Sequence, residues 1–444
     1  MKKIIKLFFL FLVLSIFYGL YSYYGRLDII SGFSAKSSAS VVFLAHRSAK
    51  SATEQDNNFP PINWADVTVN ETSKSTTATV ASFKENKAVY REGLGAVLIN
   101  DDYNADAKYL VPQRNFIDIN LSYPYGNQPQ KDTLFLNVDY KKLNAAIQKA
   151  FDVDGKDSLK TRTVLVIYKD QIIAEKNANG FDKNSLHLGW SMTKSIMSTM
   201  FGVLEQQGKI DVNNPAPIEE WKNDERSKIT INNLLQMNSG LEWIEDYNTI
   251  SDVTKMLFLE TDMTQSQIDK PLIGEPNETW NYSSGTSNLL SGVLRNQFDT
   301  HQEYLDFWYS DLIDRIGMNS MIIEADLAGN YVASSYAWAT SRDWAKFGLL
   351  YLHNGNWNGD QVLNEDWIDY VKTPTNGSNK KYGAQFWLNA GGELPDVPTT
   401  MYFADGFQGQ RVFILPTKDL VIVRTGLTNI DYNELLKGIL GSIE

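Results

Sequence analysis

Ser191 and Lys194 stand three residues apart in "GWSMTKSIMS" (189–198), at the head of a run that reads as a helix buried on nearly every side. Ile196, Met197, Met200, Phe201, Val203 and Leu204 are apolar, and Ser195, Ser198, Thr199 and Gly202 are small. Lys194 is the only charge before Glu205. Residues three apart share a helix face. A buried ammonium is strongly unfavourable unless it is paired or gives up its proton. Burial and a helix N-terminus both favour the neutral amine. A neutral lysine within reach of a serine hydroxyl is a general base, and the serine becomes a nucleophile. Unpartnered N–H groups at the helix start can then hold an oxyanion. The structural alternative is that Ser191 caps the helix while Lys194 snorkels to solvent.

Other chemistries have less support. His187 precedes Ser191 by four residues, but "GWSMT" carries Thr193 where a G-x-S-x-G elbow needs glycine. His46, His301 and His353 are scattered, with no metal-ligand spacing. The chain has no cysteine, which excludes a thiol nucleophile, disulfides and a lipidated N-terminal Cys. No metal or cofactor is expected. A net charge of -12 disfavours nucleic acid as a partner.

Two hairpins frame the region that must position the pair. "RTVLVIYKDQIIAEK" (162–176) turns at Lys169-Asp170, and "RVFILPTKDLVIVRT" (411–425) turns at Pro416–Asp419. Helix patterns lie before the first (139–151), between the two, and after the second in "DYNELLKGILGSI". This predicts an α+β fold with one antiparallel sheet built from both ends of the region and covered by helices. Upstream, "RSAKSATEQDNNFPPI" (47–62) reads as a linker or loop, and residues 64–97 hold short alternating runs that predict strands. "YPYGNQPQKD" (123–132) is a turn-rich break.

The N-terminus has Lys2, Lys3 and Lys6 ahead of an apolar run from Leu7 to Tyr24. That is the layout of a signal peptide or signal-anchor, without a clear A-x-A cleavage site. It predicts a segment at 1–26 that holds the protein in the membrane, with the bulk in the cell envelope on the periplasmic or other extracytoplasmic side. A 27–132 extension and a 133–444 hydrolase domain follow. At 444 residues with 43% hydrophobic content, the chain is long enough for two or three units with a large core.

Two further stretches carry a family resemblance. "PNETWNYSSGTSNLLSGVL" (276–294) contains Tyr282-Ser283-Ser284 before a helical run, and "FADGFQGQRVFILP" (403–416) sets Gly406 just before a strand. With "WSMTK" these resemble, in order and spacing, the three motifs of the serine β-lactamase and penicillin-binding protein superfamily. The likeness is greatest to its class C-like branch, which holds β-lactamase-fold esterases and 6-aminohexanoate-dimer hydrolases. "LLQMNSGLEW" (234–243) and "YGAQFWL" (382–388) add to the likeness, which covers roughly 140–444. Residues 31–48 and 88–98 resemble the N-terminal extension of some membrane-anchored members, with no role attached.

The resemblance implies an acyl-enzyme on Ser191, with Lys194 as base and Tyr282 as proton relay. It implies an oxyanion hole from the N–H groups of Ser191 and Phe407. Ser284 stands where many members carry Asn, and it would contact substrate together with Gly406; Tyr247 is a candidate for the pocket lining, with packing in the core the more expected reading. Penicillin-recognising members carry Lys or His where this chain has Ala404 and Asp405. That favours a small ester or uncharged amide over a β-lactam or D-Ala-D-Ala peptide. The alternatives are a non-catalytic penicillin-binding-like sensor or scaffold, and a β-lactamase or carboxypeptidase. For Asp405 a solvated surface role is expected, and for Gln410 a strand-start hydrogen bond.

Overall fold

The computed structural model describes residues 2–100, 103–116, 120–126, 128–130, 133–153, 156 and 158–444. One helix, α1 (Lys2–Ala39), runs through Arg26 without a break. Its two halves have different surroundings. Ile5, Phe8, Phe9, Phe11, Leu12 and Tyr18 stand exposed in the first half. Ile29, Ile30, Phe33, Ala35 and Ala39 are buried in the second. The alternating runs after Trp64 form a four-stranded antiparallel meander: β1 (Ala65–Asn70), β2 (Ser75–Val80), β3 (Lys84–Arg91) and β4 (Gly95–Ile99). Small residues on one face, Ala78, Ala88 and Ala96, let the helix settle closely against the sheet at Ala35 and Ala39.

The region after residue 133 is built as its two hairpins predict. Helix α2 (Tyr140–Gln148) precedes β5 (Thr161–Tyr168) and β6 (Gln171–Asn177). Lys169 and Asp170, between these strands, both adopt left-handed φ, as a tight two-residue hairpin turn requires. Near the other end come β10 (Trp387–Leu388), β11 (Tyr402–Gly406), β12 (Gln410–Leu415) and β13 (Leu420–Gly426). All six join in one antiparallel sheet of order β10-β11-β12-β13-β5-β6, with Leu420 opposite Tyr168 across the joint. Every residue of β5 is buried, and its side chains alternate between two cores. Leu165 and Ile167 pack with Val412, Ile414 and Val421, while Val164 and Val166 pack with Phe413, Leu420 and Ile422. Helices cover both faces, as fully buried strands require.

A smaller sheet, β7 (Leu186–Leu188) with β8 (Ile322–Ile323) and β9 (Ala337–Thr340), leads into helix α3 (Thr193–Gln206). Glu324, just past β8, is fully buried and joins the N-terminal region to this body. Its Oε1 accepts from Ser40 Oγ at 2.8 Å and from the Ala96 amide at 2.7 Å. Its Oε2 accepts from Trp338 Nε1 at 2.9 Å and pairs with Lys36. Gly95 is required beside it: its φ is +70°, and a Cβ there would lie 2.3 Å from Glu324 Cγ.

Removing one partner of a buried pair leaves an uncompensated charge. Glu324→Leu should therefore destabilise the protein by about 3–5 kcal/mol, read as a lower urea midpoint. Adding Lys36→Met to it should restore a large part of that loss.

Candidate active site

The nucleophile turn follows from the small sheet. β7 pairs with β9, and the Gly189 amide donates to Ala337 O at 2.8 Å. The chain then makes a 3-10 turn, Trp190–Met192, and continues as α3. Trp190 has a φ of 47°, a left-handed conformation that a bulky residue adopts only when its surroundings hold it there. Thr193 Oγ1 fastens the turn, donating to Trp190 O at 2.7 Å and accepting from the Ala337 amide at 3.0 Å.

Gly406 ends β11 directly against this turn. A Cβ on Gly406 would lie 2.1 Å from the Gly189 carbonyl oxygen, so only glycine fits. Phe407 opens a second 3-10 turn, Phe407–Gly409. Amides in the first turn of a helix lack an intrahelical acceptor, and both the Ser191 and Phe407 amides occupy such positions. Gln410 anchors the second turn through Gly426 O at 2.6 Å, the Gly426 amide at 3.1 Å and Phe407 O at 3.1 Å. This is the strand-start role expected of it.

Lys194 is 1% exposed, and it does not snorkel. Its Nζ lies 3.0 Å from Ser191 Oγ, 3.0 Å from Ser284 Oγ and 2.9 Å from Ser334 O. Burial pulls its pKa down to about 8, against the opposing charges of Glu245 and Asp405. A neutral amine has two N–H groups and one lone pair. In the neutral form the Ser334 carbonyl and the Ser284 oxygen take the two protons, which leaves the lone pair for the Ser191 hydroxyl. Ser284 accepts from Lys194 because its own O–H donates to Glu245 Oε1 at 2.5 Å.

Tyr282 belongs to the same cluster. Its hydroxyl is within hydrogen-bonding reach of Ser191, and its ring centroid lies 5.0 Å from Lys194 Nζ. Burial, with the charge of Glu245, keeps the phenol well above its ordinary pKa, so it stays protonated. Trp387 and Tyr382, from the "YGAQFWL" stretch, pack around the Tyr282 ring at 5.5 and 5.8 Å. Tyr247 stacks on Phe407 at 5.5 Å and its hydroxyl meets Glu245 Oε1 at 3.3 Å. Ser284 is fully buried, facing Lys194 and Glu245.

Sequence reasoning missed Glu245. Its carboxylate accepts from Ser284 N at 2.9 Å and Trp243 Nε1 at 2.6 Å, besides the Ser284 and Tyr247 hydroxyls. The signal was the acid inside "WIEDYNT", next to a tyrosine already under consideration. Asp405 is not the solvated surface acid expected: it is ion-paired with Arg411, and burial pushes its pKa up to about 6. His187 is separate from the cluster. It bonds Thr163 Oγ1 at 3.2 Å, and burial, with Arg162 and Arg47 nearby, pulls its pKa down to about 3. Two aromatics of the N-terminal region also reach this site. Phe33 stacks on Trp190 at 5.9 Å, and Phe59 meets Phe407 at 6.3 Å.

Asp405 raises the Lys194 pKa, so removing its charge should lower it. In Asp405→Asn, the pH at which Lys194 becomes neutral should fall below about 8. The acid limb of a pH–rate profile should move to lower pH, and an unmoved limb would show that the two groups do not communicate.

Comparisons with known proteins show the family and the fold. The β-lactamase family model matches residues 151–437. The 6-aminohexanoate-dimer hydrolase of Paenarthrobacter ureafaciens is 23% identical over 299 residues, 60% of this chain and 72% of that protein. A Bacillus anthracis structure described under the same activity superposes with a TM-score of 0.54 at 22% identity, over 64% of this chain and 78% of that one. A penicillin-binding protein homologue from Caulobacter crescentus superposes with a TM-score of 0.56 at 12% identity, over 70% and 100% of the two chains. A family VIII carboxylesterase does so at 0.55 and 14%, over 68% and 97%. The protein belongs to the β-lactamase family of serine hydrolases.

Proposed function

We propose that the protein is an exported, membrane-anchored hydrolase that cleaves an ester or an uncharged amide through an acyl-enzyme on Ser191. The observation that carries the reading is the setting of buried Lys194, whose nitrogen lies within 3.0 Å of the Ser191 and Ser284 hydroxyl oxygens and the Ser334 carbonyl. Ser191 Oγ attacks the substrate carbonyl carbon as its proton passes to Lys194 Nζ. The amides of Ser191 and Phe407 stabilise the resulting oxyanion. Tyr282 gives its proton to the leaving oxygen or nitrogen and is reprotonated from the Lys194 ammonium. Water then releases the acyl group by the same steps in reverse order. Gly406 keeps the cleft narrow, Tyr247 forms its wall, and Ser284 links Lys194 to Glu245; contact between Ser284 and a substrate would require its bond to Glu245 to exchange.

The substrate class is supported by charge. Asp405 and Glu245 flank the site, and Arg411 is already paired with Asp405. A substrate carboxylate would meet repulsion here. The Paenarthrobacter relative is named as a hydrolase of an aminohexanoate dimer, which is in keeping with cleavage of an amide.

A fluorophosphonate probe should label the wild type, with the adduct on the peptide carrying Ser191, and Ser191→Ala should remove labelling while remaining folded. The rate should rise with pH through about 8, because the neutral form of Lys194 is the active one. Lys194→Arg cannot lose its proton near neutrality and should be inactive. An adduct on another serine, or an active arginine variant, would sink the mechanism.

The anchor is supported by the exposed apolar half of α1, with lysines on its upstream flank only. Full-length protein should sediment with membranes, and protease added outside the cytoplasm should digest residues beyond 26. Recovery in the cytosolic fraction would contradict this location.

A further inference from the structure

A cleft of about 630 Å³ lies between α1 and the active site. Sites for small molecules typically span roughly 300–1,000 Å³. Its walls are mainly apolar. Leu27, Ile30 and Phe33 come from α1, Phe59 and Ile62 from the loop before β1, and Ile250 from the loop before helix α4 (Asp252–Leu259). Its inner end is formed by Trp190, Tyr247 and Phe407. Trp190 adjoins Ser191 in the chain, and Phe407 begins the turn packed beside it.

The outer end has a different character. Arg26 and Leu27 stand where α1 leaves the body, immediately before its exposed apolar half. Three large aromatics are exposed around that exit: Tyr24, Trp64 and Phe83. Trp64 directly precedes Ala65, which pairs with Val80, so it and Phe83 share one end of the β1–β4 sheet. Lys84 ties that end to α1 through Asp28 at 2.7 Å and covers the Tyr24 ring at 4.6 Å. Aromatic and basic side chains at the foot of an apolar helix are the pattern found where a membrane meets water.

Resting on the hydrolase reading above, we propose that this cleft receives the hydrocarbon chain of a membrane-borne ester or amide, entering from the bilayer at the foot of α1 with its carbonyl delivered to Ser191. The N-terminal region is then part of the substrate site. The carboxylates of Glu245 and Asp246 on the cleft, and Asp405 beside Lys194, disfavour an anionic head.

The test uses full-length protein in detergent micelles and p-nitrophenyl esters from acetate to decanoate. Burying each methylene can multiply affinity by up to roughly fourfold. The value of kcat/KM should be at least about tenfold higher for decanoate than for acetate. Ile250→Trp and Leu27→Trp, which fill the cleft, should each lower that decanoate-to-acetate ratio by about fivefold or more. A third measurement needs only the wild type: a fluorophosphonate bearing a ten-carbon chain with a terminal diazirine. After it reacts at Ser191, illumination should cross-link it to peptides carrying 27–33, 59–62 or 246–250. Equal or better turnover of acetate, a ratio unchanged in both filled variants, or cross-links confined to other peptides would overturn the proposal while an adduct on Ser191 left the hydrolase reading intact. No adduct from any probe would instead remove the hydrolase reading.

Discussion

The buried amine of Lys194 sets the terms for everything around it. A neutral lysine nitrogen in a dry site must find two acceptors and offer its lone pair to one donor, or it becomes a liability. The acceptors come from segments 90 and 140 residues away in the chain. Each is itself held: Ser284 by Glu245, and Ser334 by a hydrogen bond from its amide to Asn288 Oδ1 at 3.0 Å. The donor is fixed by the strained Trp190 turn. Burial alone would pull the lysine pKa lower; Glu245 and Asp405 hold it near the physiological range. The basicity of the site is a balance between a dry setting and two nearby carboxylates.

Much of this was legible in the sequence where the signal is local or carried by a motif. Ser191 and Lys194 share a helix face by spacing alone. The long β-rich runs at 162–176 and 411–425 announced a sheet closed by both ends of the region, and β5 beside β13 is that closure. The ordered motifs pointed to Tyr282 and Ser284. Glu245 was not legible, because its partner Ser284 lies 39 residues away and nothing in a loop acid reveals a distant hydroxyl. Asp405 was misread for a related reason. Its partner Arg411 stands opposite it across the β11–β12 turn, so the pairing depends on hairpin register rather than residue type. Phe33 and Phe59 gave no sign that an N-terminal helix and loop would pack on Trp190 and Phe407.

Those aromatic contacts change how the N-terminal region is understood. It shares one apolar cluster with Trp190, Tyr247 and Phe407, residues on the nucleophile turn and the wall of the cleft. Disturbing α1 would disturb the left-handed backbone at Trp190 and the position of Ser191 with it. The region and the hydrolase body form one packed unit around the site.

The Lys36–Glu324 contact also imposes a timetable. Its partners are 288 residues apart. At typical synthesis rates the carboxylate leaves the ribosome roughly fifteen seconds to a minute after the lysine. During that interval the second half of α1 can pack on β1–β4, but Lys36 lacks its partner and Phe33 lacks Trp190 and Phe258 for part of it. The β5 edge waits almost as long, for β13 near the end of the chain. The nascent protein therefore passes through a prolonged stage in which the N-terminal region lacks its buried carboxylate, and a chaperone or a membrane surface has its opportunity to act on the chain in that stage.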